Sequence, residues 1–224
     1  MKPHQISVFR RYVFFCVGLF VMAFGIAFSI KADLGTSPIS SLPYVISLFT
    51  PLTVGNVTII MHCVLIVIQI AILRKRYNKI QLIQLPVAIV FGYLTDFAIW
   101  ATDAISPQTY WQQWLVCCIG IVTVAFGVSM EINSHATTLA GEGVVLAVCK
   151  VTKIKVGNMK IIFDVTLVCT AIVLSFIFLH KLAGVREGTV AAAILVGTVT
   201  KQFNRLFGPF YKKRLTAKGD TVTD

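Results

Sequence analysis

Five stretches of this chain, residues 12–30, 54–73, 80–102, 110–130 and 161–179, run for roughly the length of a bilayer crossing with almost no charge. An α-helix rises about 1.5 Å per residue, so about 20 apolar residues cover a hydrocarbon core about 30 Å thick. Five such segments within 224 residues leave little room for a soluble fold. The chain is 57% hydrophobic and 13% charged, whereas a soluble domain carries about 25% charged residues. The fold class read from these segments is all-α: a polytopic transmembrane helix bundle.

The formal net charge of +11 raises the question of a nucleic-acid partner. The basic residues, however, fall in short clusters between apolar stretches: Arg10-Arg11, Arg74-Lys75-Arg76 with Lys79, Lys150/Lys153/Lys155, and Lys212-Lys213-Arg214. Cytoplasmic loops of membrane proteins have this pattern, and anionic inner-leaflet lipids favour it. No nucleic-acid partner is expected. The six cysteines lie in apolar segments without metal-ligand spacing and read as packing residues. A basic start before an apolar run also fits a cleaved signal peptide, but no small-x-small site follows Ile30. The segment is read as the first helix.

Shifting the chain by 102 residues superimposes its halves. Cys16, Gly18, Phe24 and Gly25 fall on Cys118, Gly120, Phe126 and Gly127, and Val54-Gly55-Asn56 falls on Val156-Gly157-Asn158. With three extra residues near His180, Gly92 falls on Gly197. Two sequence-related repeats of four segments are therefore expected, each with three long helices and one short one. The segments are about 12–30, 37–49, 56–73 and 82–102, then 113–131, 141–151, 158–179 and 187–203. The organisation expected is a cytoplasmic N-terminus over 1–11, repeat 1 over 12–102, a connecting loop over 103–112, repeat 2 over 113–206 and a basic cytoplasmic tail over 207–224.

The short segments are bounded by cap chemistry, with Thr36-Ser37-Pro38 offering a hydroxyl and a proline at the first helical position. They are too short to cross upright. If both re-enter, all the basic clusters share one side; if both span, the cluster at Arg74 is stranded on the other. The first arrangement, six crossings plus two half-helices, inverts the second repeat relative to the first. Inverted repeats with half-helices are a common transporter plan, with the site at the midplane. Eight spans in parallel repeats is the alternative.

Ionisable groups inside apolar segments are costly and face a partner or a cavity. Glu142, flanked by Gly141 and Gly143, starts the second short segment; it either stabilises that helix N-terminus or forms a cation or proton site. Lys160 and Asp164 have ion-pair spacing, and the offset places Thr58 and His62 at the same two positions. His62 is either a packing histidine or a proton carrier. Gln69 extends the same stripe, and Asp96 is either interfacial or part of the site. Asn56 and Asn158 read as caps, and Gly18/Gly25 and Gly120/Gly127 as close helix-packing positions.

Gly35-Thr36-Ser37-Pro38, Leu42-Pro43-Tyr44, Val54-Gly55-Asn56, Gln69 before a basic loop, Gly141-Glu142-Gly143, Lys160 with Phe163-Asp164, and Gly184-Val185-Arg186-Glu187-Gly188-Thr189 together resemble the YczE/YyaS/YitT-like family of bacterial membrane proteins. The resemblance implies a multi-pass protein of the bacterial plasma membrane, of a kind often labelled a permease. Some relatives sit beside regulators with a pyridoxal-phosphate-type domain. No catalytic or transport residue carries over.

No nucleophile elbow, phosphate loop, HExxH or dinucleotide fingerprint is present, so an enzyme is not expected, nor a cofactor or metal. The leading expectation is a small-molecule transporter whose substrate site draws on Thr36, Ser37, His62, Gln69, Asp96, Glu142, Lys160 and Asp164, where the two short helices meet. Inward-pointing helix N-termini would favour an anionic or zwitterionic ligand, with Glu142 requiring protonation or a co-bound cation. The competing expectation is a non-transporting accessory or sensor protein with no cavity and internally satisfied ion pairs. The partners expected are the lipid bilayer and a small polar solute, with a homo-oligomer left open.

Overall fold

The computed structural model describes residues 3–215, with side chains described for residues 8–208 apart from Lys79. The N-terminal segment over 1–11 and the tail over 207–224 therefore lie partly outside the described residues. Among the described residues all regular structure is helical: α1 (Pro3–Lys31), α2 (Pro38–Phe49), α3 (Val54–Leu73), α4 (Gln84–Ala101), α5 (Tyr110–Ser134), α6 (Ala140–Thr152), α7 (Val156–Leu179) and α8 (Glu187–Leu215). Two short 3₁₀ turns, Arg74–Arg76 and Lys79–Ile83, join α3 to α4.

Five helices, α1, α3, α4, α5 and α7, are long and apolar enough to cross a membrane. The sequence predicts six crossings; α8 has the length but carries Lys201, Gln202, Asn204 and Arg205 within it. The outer surfaces are apolar: Ile60, Val64 and Val67 of α3 and Ile161, Val165 and Phe176 of α7 are exposed, as lipid-facing residues are. Trp100, Tyr110 and Trp111 are exposed where α4 ends and α5 begins, the place for an interfacial aromatic belt.

The bundle is organised around α1 and α5, which pack together more extensively than any other pair. Gly18 and Gly25 lie two turns apart on one face of α1, as do Gly120 and Gly127 on α5. A Cβ added to Gly25 would fall 2.5 Å from the Val124 nitrogen and 2.9 Å from the Gly120 oxygen. One added to Gly127 would fall 2.8 Å from the Gly18 oxygen. Gly18 thus faces Gly127 while Gly25 faces Gly120, so the two helices run antiparallel.

Contacts between loops fix the ends of the bundle. The α1 C-terminus meets the loop after α4 through Lys31 Nζ and Asp103 Oδ1, 2.7 Å apart. The Lys31 hydrogen bond, with its charge, holds the Asp103 carboxyl below the usual carboxylate range. The α7–α8 loop reaches the same end, where Arg186 donates to the Asp33 carbonyl at 2.8 Å. So does the start of α3, because the Thr53 hydroxyl donates to Asp96 Oδ2 at 2.6 Å near the end of α4. Helix α2 therefore leaves from this end and returns to it. Helix α6 joins the α5 C-terminus to the α7 N-terminus, both at the opposite end, and likewise returns. At 12 and 13 residues the two rise only about 18–20 Å. Neither crosses.

The helix pairings obey an exchange of α1–α4 with α5–α8. Helix α1 packs on α4 as α5 does on α8, α2 on α3 as α6 on α7, and α2 on α7 as α3 on α6. The exception is α3 with α4, whose contact has no comparable counterpart between α7 and α8. Gly55 and Gly92 bring the α3 and α4 backbones together, a Cβ on Gly92 falling 2.7 Å from the Gly55 oxygen. Their offset positions, Gly157 and Gly197, have nothing within 4 Å.

Local chemistry differs from expectation at three helix starts. Ser37 is the N-cap residue of α2, with Pro38 following, but its side chain makes no cap bond and donates instead to Ser40 Oγ at 3.0 Å. Thr53, not Asn56, caps α3, accepting the Asn56 N–H at 3.1 Å. Asn158 does not cap α7, whose N-cap residue is Lys155 without a side-chain bond.

Gly25→Val would drive a branched side chain into the α5 backbone and should cost at least about 1–3 kcal/mol, whereas Gly157→Ala should leave stability unchanged. Thermal unfolding of the detergent-solubilised protein checks both, and equal midpoints would contradict the close α1–α5 contact. Asp96→Ala removes the groups that hold the α3 N-terminus, at an expected cost of about 2 kcal/mol. The same melt, with Asp96→Asn recovering part of the loss, is the check.

Candidate functional site

The two short helices meet at their N-terminal ends. A Cβ on Gly141 would fall 2.5 Å from Ile39 Cδ1, so a larger residue there would displace the tip of the Ile39 side chain. Ile39 and Gly141 are themselves related by the 102-residue offset. Pro43 lies inside α2; lacking an N–H, it leaves the Ile39 carbonyl without its usual helical donor.

Around this junction is a cavity of about 400 Å³, lined from α1, α2, α3, α4, α5, α6, α7 and α8. Much of its lining comes in offset pairs: Met22 with Val124, Ile26 with Val128, Ser40 with Glu142, Thr58 with Lys160 and His62 with Asp164. Phe91 with Val196 and Thr95 with Thr200 follow with the three-residue correction. A second cavity of about 660 Å³ shares Glu131, Glu142 and Lys160 and extends to His135, Thr137 and Thr138 of the α5–α6 turn and to Val156. It forms a passage from the first cavity toward the end where α5 finishes and α7 begins.

The charges all come from the second half. Lys160 Nζ lies 2.8 Å from Asp164 Oδ1, and it also stands 5.8 Å from the Phe163 ring centre. Glu142 projects from the first turn of α6, beside the cavity, and its carboxylate forms no hydrogen bond among the described residues. Glu131 is 2% exposed and accepts the Leu139 N–H at 2.9 Å, thereby holding the start of α6. Glu131 and Glu142 act on each other electrostatically, and Lys160 acts on both. The first half offers neutral groups at the matching positions: Ser29, Ser40, Thr58 and His62. Ser29 donates to the Gly25 carbonyl at 3.0 Å within α1. His62 is 2% exposed, with its ring centre 6.1 Å from that of Phe91, and its Nδ1 has no partner.

Of the residues expected at the site, Ser37, His62, Glu142, Lys160 and Asp164 line the one cavity. Thr36, Gln69 and Asp96 are not among its lining residues. The Thr36 N–H donates to the Gly184 carbonyl at 3.4 Å, joining two loops. Gln69 donates from Nε2 to Gln84 Oε1 at 3.1 Å and to the Ala140 carbonyl at 3.0 Å, so it ties α3 to α4 and to the start of α6. Asp96 accepts the Gly55 N–H at 2.7 Å and the Thr53 hydroxyl, capping α3. Glu131 was outside the expected set. It closes the segment read as 113–131, and α5 continues past it to Ser134. The offset from Ser29, one residue before the end of the apolar run of α1, is the signal that could have found it.

Comparison with known proteins agrees with the membrane reading. The model of a family of unknown function, DUF6198, matches residues 9–205. The uncharacterized membrane protein YczE of Bacillus subtilis (strain 168) is 25% identical over 193 residues, covering 85% of this chain and 84% of its own. The uncharacterized protein YyaS of the same organism is 25% identical over 170 residues, covering 75% and 81%. No solved structure matches the chain. By its family match and by its likeness to YczE and YyaS, this chain belongs to DUF6198, a family of unknown function.

Proposed function

We propose that the protein is a small-molecule transporter of the bacterial plasma membrane that alternates access to the cavity between α2 and α6. The observation that carries this reading is the cavity itself: two half-helices abut at its centre, and offset-related residues of both halves line it in pairs. Antiparallel α1 and α5 supply the twofold relation on which inverted-repeat transporters work. The difference between the halves supports the same reading. On one side α3 and α4 close over the cavity through Gly55 and Gly92, while on the other Gly157 and Gly197 stand apart. The second cavity leads out on that open side.

In this mechanism the alternate state exchanges the two arrangements, bringing α7 onto α8 and parting α3 from α4. The open side is the one where the Arg10-Arg11 end of α1 and Arg74–Arg76 lie, and basic residues favour the cytoplasmic face. The structure then corresponds to an inward-facing state. A non-transporting accessory protein predicts no cavity, so the 400 Å³ space favours transport.

A cross-link tests the exchange without knowledge of the substrate. In a background lacking the six native cysteines, Gly157→Cys with Gly197→Cys should oxidise to an intramolecular disulfide, which needs a Cα separation of about 4.4–6.8 Å. Locking that pair should raise hydrogen exchange at the Gly55 amide, whose bond to Asp96 belongs to the closed α3–α4 arrangement. A folded protein that never cross-links, or cross-links with no change at Gly55, would retire the alternating-access reading.

A further inference from the structure

We infer that the cavity selects an organic ammonium ion, a ligand with one N–H-bearing positive charge and a compact apolar body. This rests on reading the cavity as the substrate site, and it replaces the anionic or zwitterionic ligand suggested by helix ends alone. Three carboxylates and one ammonium line the space. Lys160 and Asp164 satisfy each other at 2.8 Å, which leaves Glu131 and Glu142 as the carboxylates without a cationic partner in contact. Both belong to the wall shared by the two cavities, so an entering ligand meets them first.

An ammonium there lets both carboxyl groups ionise and accept its N–H groups, whereas an anion is compatible only with both remaining protonated. The positive pole of the α6 N-terminus, which could otherwise attract an anion, already has Glu142 in its first turn. At the start of α2 the hydroxyls are taken up locally, Ser37 donating to Ser40 and Ser41 to the Pro38 carbonyl. What the first half does offer is acceptors. His62 Nδ1 is buried without a partner on the cavity wall, and an imidazole nitrogen protonated at its other position accepts an N–H. The Ile39 carbonyl also lacks its usual helical donor because of Pro43. Carboxylates on one side and neutral acceptors on the other suit an ammonium with several N–H groups.

Apart from the hydroxyls of Ser37, Ser40, Thr58, Thr95 and Thr200, the remaining wall is apolar. Met22, Ile26, Phe91, Val124 and Val128 line the space, and a ring such as Phe91 also attracts a cation at its face. A volume of about 400 Å³ lies at the small end of ligand pockets. It suits an arylalkyl or short alkyl amine rather than a large amphiphile.

Three probes with the same body isolate the charge: 2-phenylethylammonium, 2-phenylethanol and 3-phenylpropanoate. Binding to the full-length protein in nanodiscs is measured by equilibrium dialysis, with protein-free nanodiscs subtracted. The ammonium should bind at least ten-fold more tightly than the alcohol, and the carboxylate should bind no better than the alcohol. Glu142→Gln, which loses no hydrogen bond, and Glu131→Gln, whose amide oxygen still accepts the Leu139 N–H, should each reduce the ammonium to the affinity of the alcohol. Equal binding of ammonium and alcohol, preference for the carboxylate, or unchanged ammonium binding in both variants would overturn the assignment. Charge-selective binding in a protein whose α7–α8 pair never cross-links would keep the ligand class and overturn transport instead. A cross-linking protein that ignores the ammonium would do the reverse.

Discussion

In a bilayer the hydrophobic effect does not draw one helix to another, because lipid tails are as apolar as leucine side chains. What remains is close packing, and it is greatest where side chains are absent. The α1–α5 crossing is such a place: four glycines let two backbones touch, with Gly18 against Gly127 and Gly25 against Gly120. This contact sets the relative direction of the halves. It places Met22 and Val124, which lie between the glycines, on a shared wall. Once α1 and α5 are antiparallel and joined at this point, α4 and α8 take equivalent places on their outer sides, and the short helices meet nose to nose at Ile39 and Gly141.

A cavity on an axis of near-symmetry would be expected to have matching walls, and here it does in shape but not in charge. Met22 and Val124, or Phe91 and Val196, are interchangeable as apolar surface. Ser40 and Glu142, or Thr58 and Lys160, are not. The arrangement separates two tasks that share one frame, since packing residues repeat while the cavity's carboxylates and lysine are confined to α5, α6 and α7. The Lys160–Asp164 pair brings two charges into the bundle at little electrostatic cost to each other. Glu131 has one peptide N–H and Glu142 has none, so the unbalanced part of the charge is concentrated at the base of α6.

Much of this was legible in the sequence. Long uncharged runs announce membrane helices because the penalty for exposed backbone in lipid leaves no other open structure. The offset between Gly18/Gly25 and Gly120/Gly127 marked the crossing, and the basic clusters pointed to re-entrant α2 and α6, each of which begins and ends at one end of the bundle. Side-chain direction was not legible. Gln69 and Asp96 sit in the same helices as cavity residues and were grouped with them, yet Gln69 faces the α6 start and Asp96 the α3 start. Periodicity alone cannot say which neighbour a polar face finds. Glu131 was overlooked for a related reason: it closes the segment read as 113–131, and nothing in the pattern shows which way its side chain points. Helix α8 has the length of a sixth crossing and becomes polar toward its C-terminal half.

The unequal contacts of the last helix give the bundle a mechanical polarity. Helices α3 and α4 are fastened along their length by the Gly55–Gly92 contact, the Asp96 cap and the Gln69–Gln84 bond. Helix α8 rests chiefly on α5, where Thr200 donates to the Ala125 carbonyl and Asn204 takes bonds from Ser129 and Asn133. The first half is thus the more tightly fastened of the two, and α8 is held chiefly along its polar seam with α5.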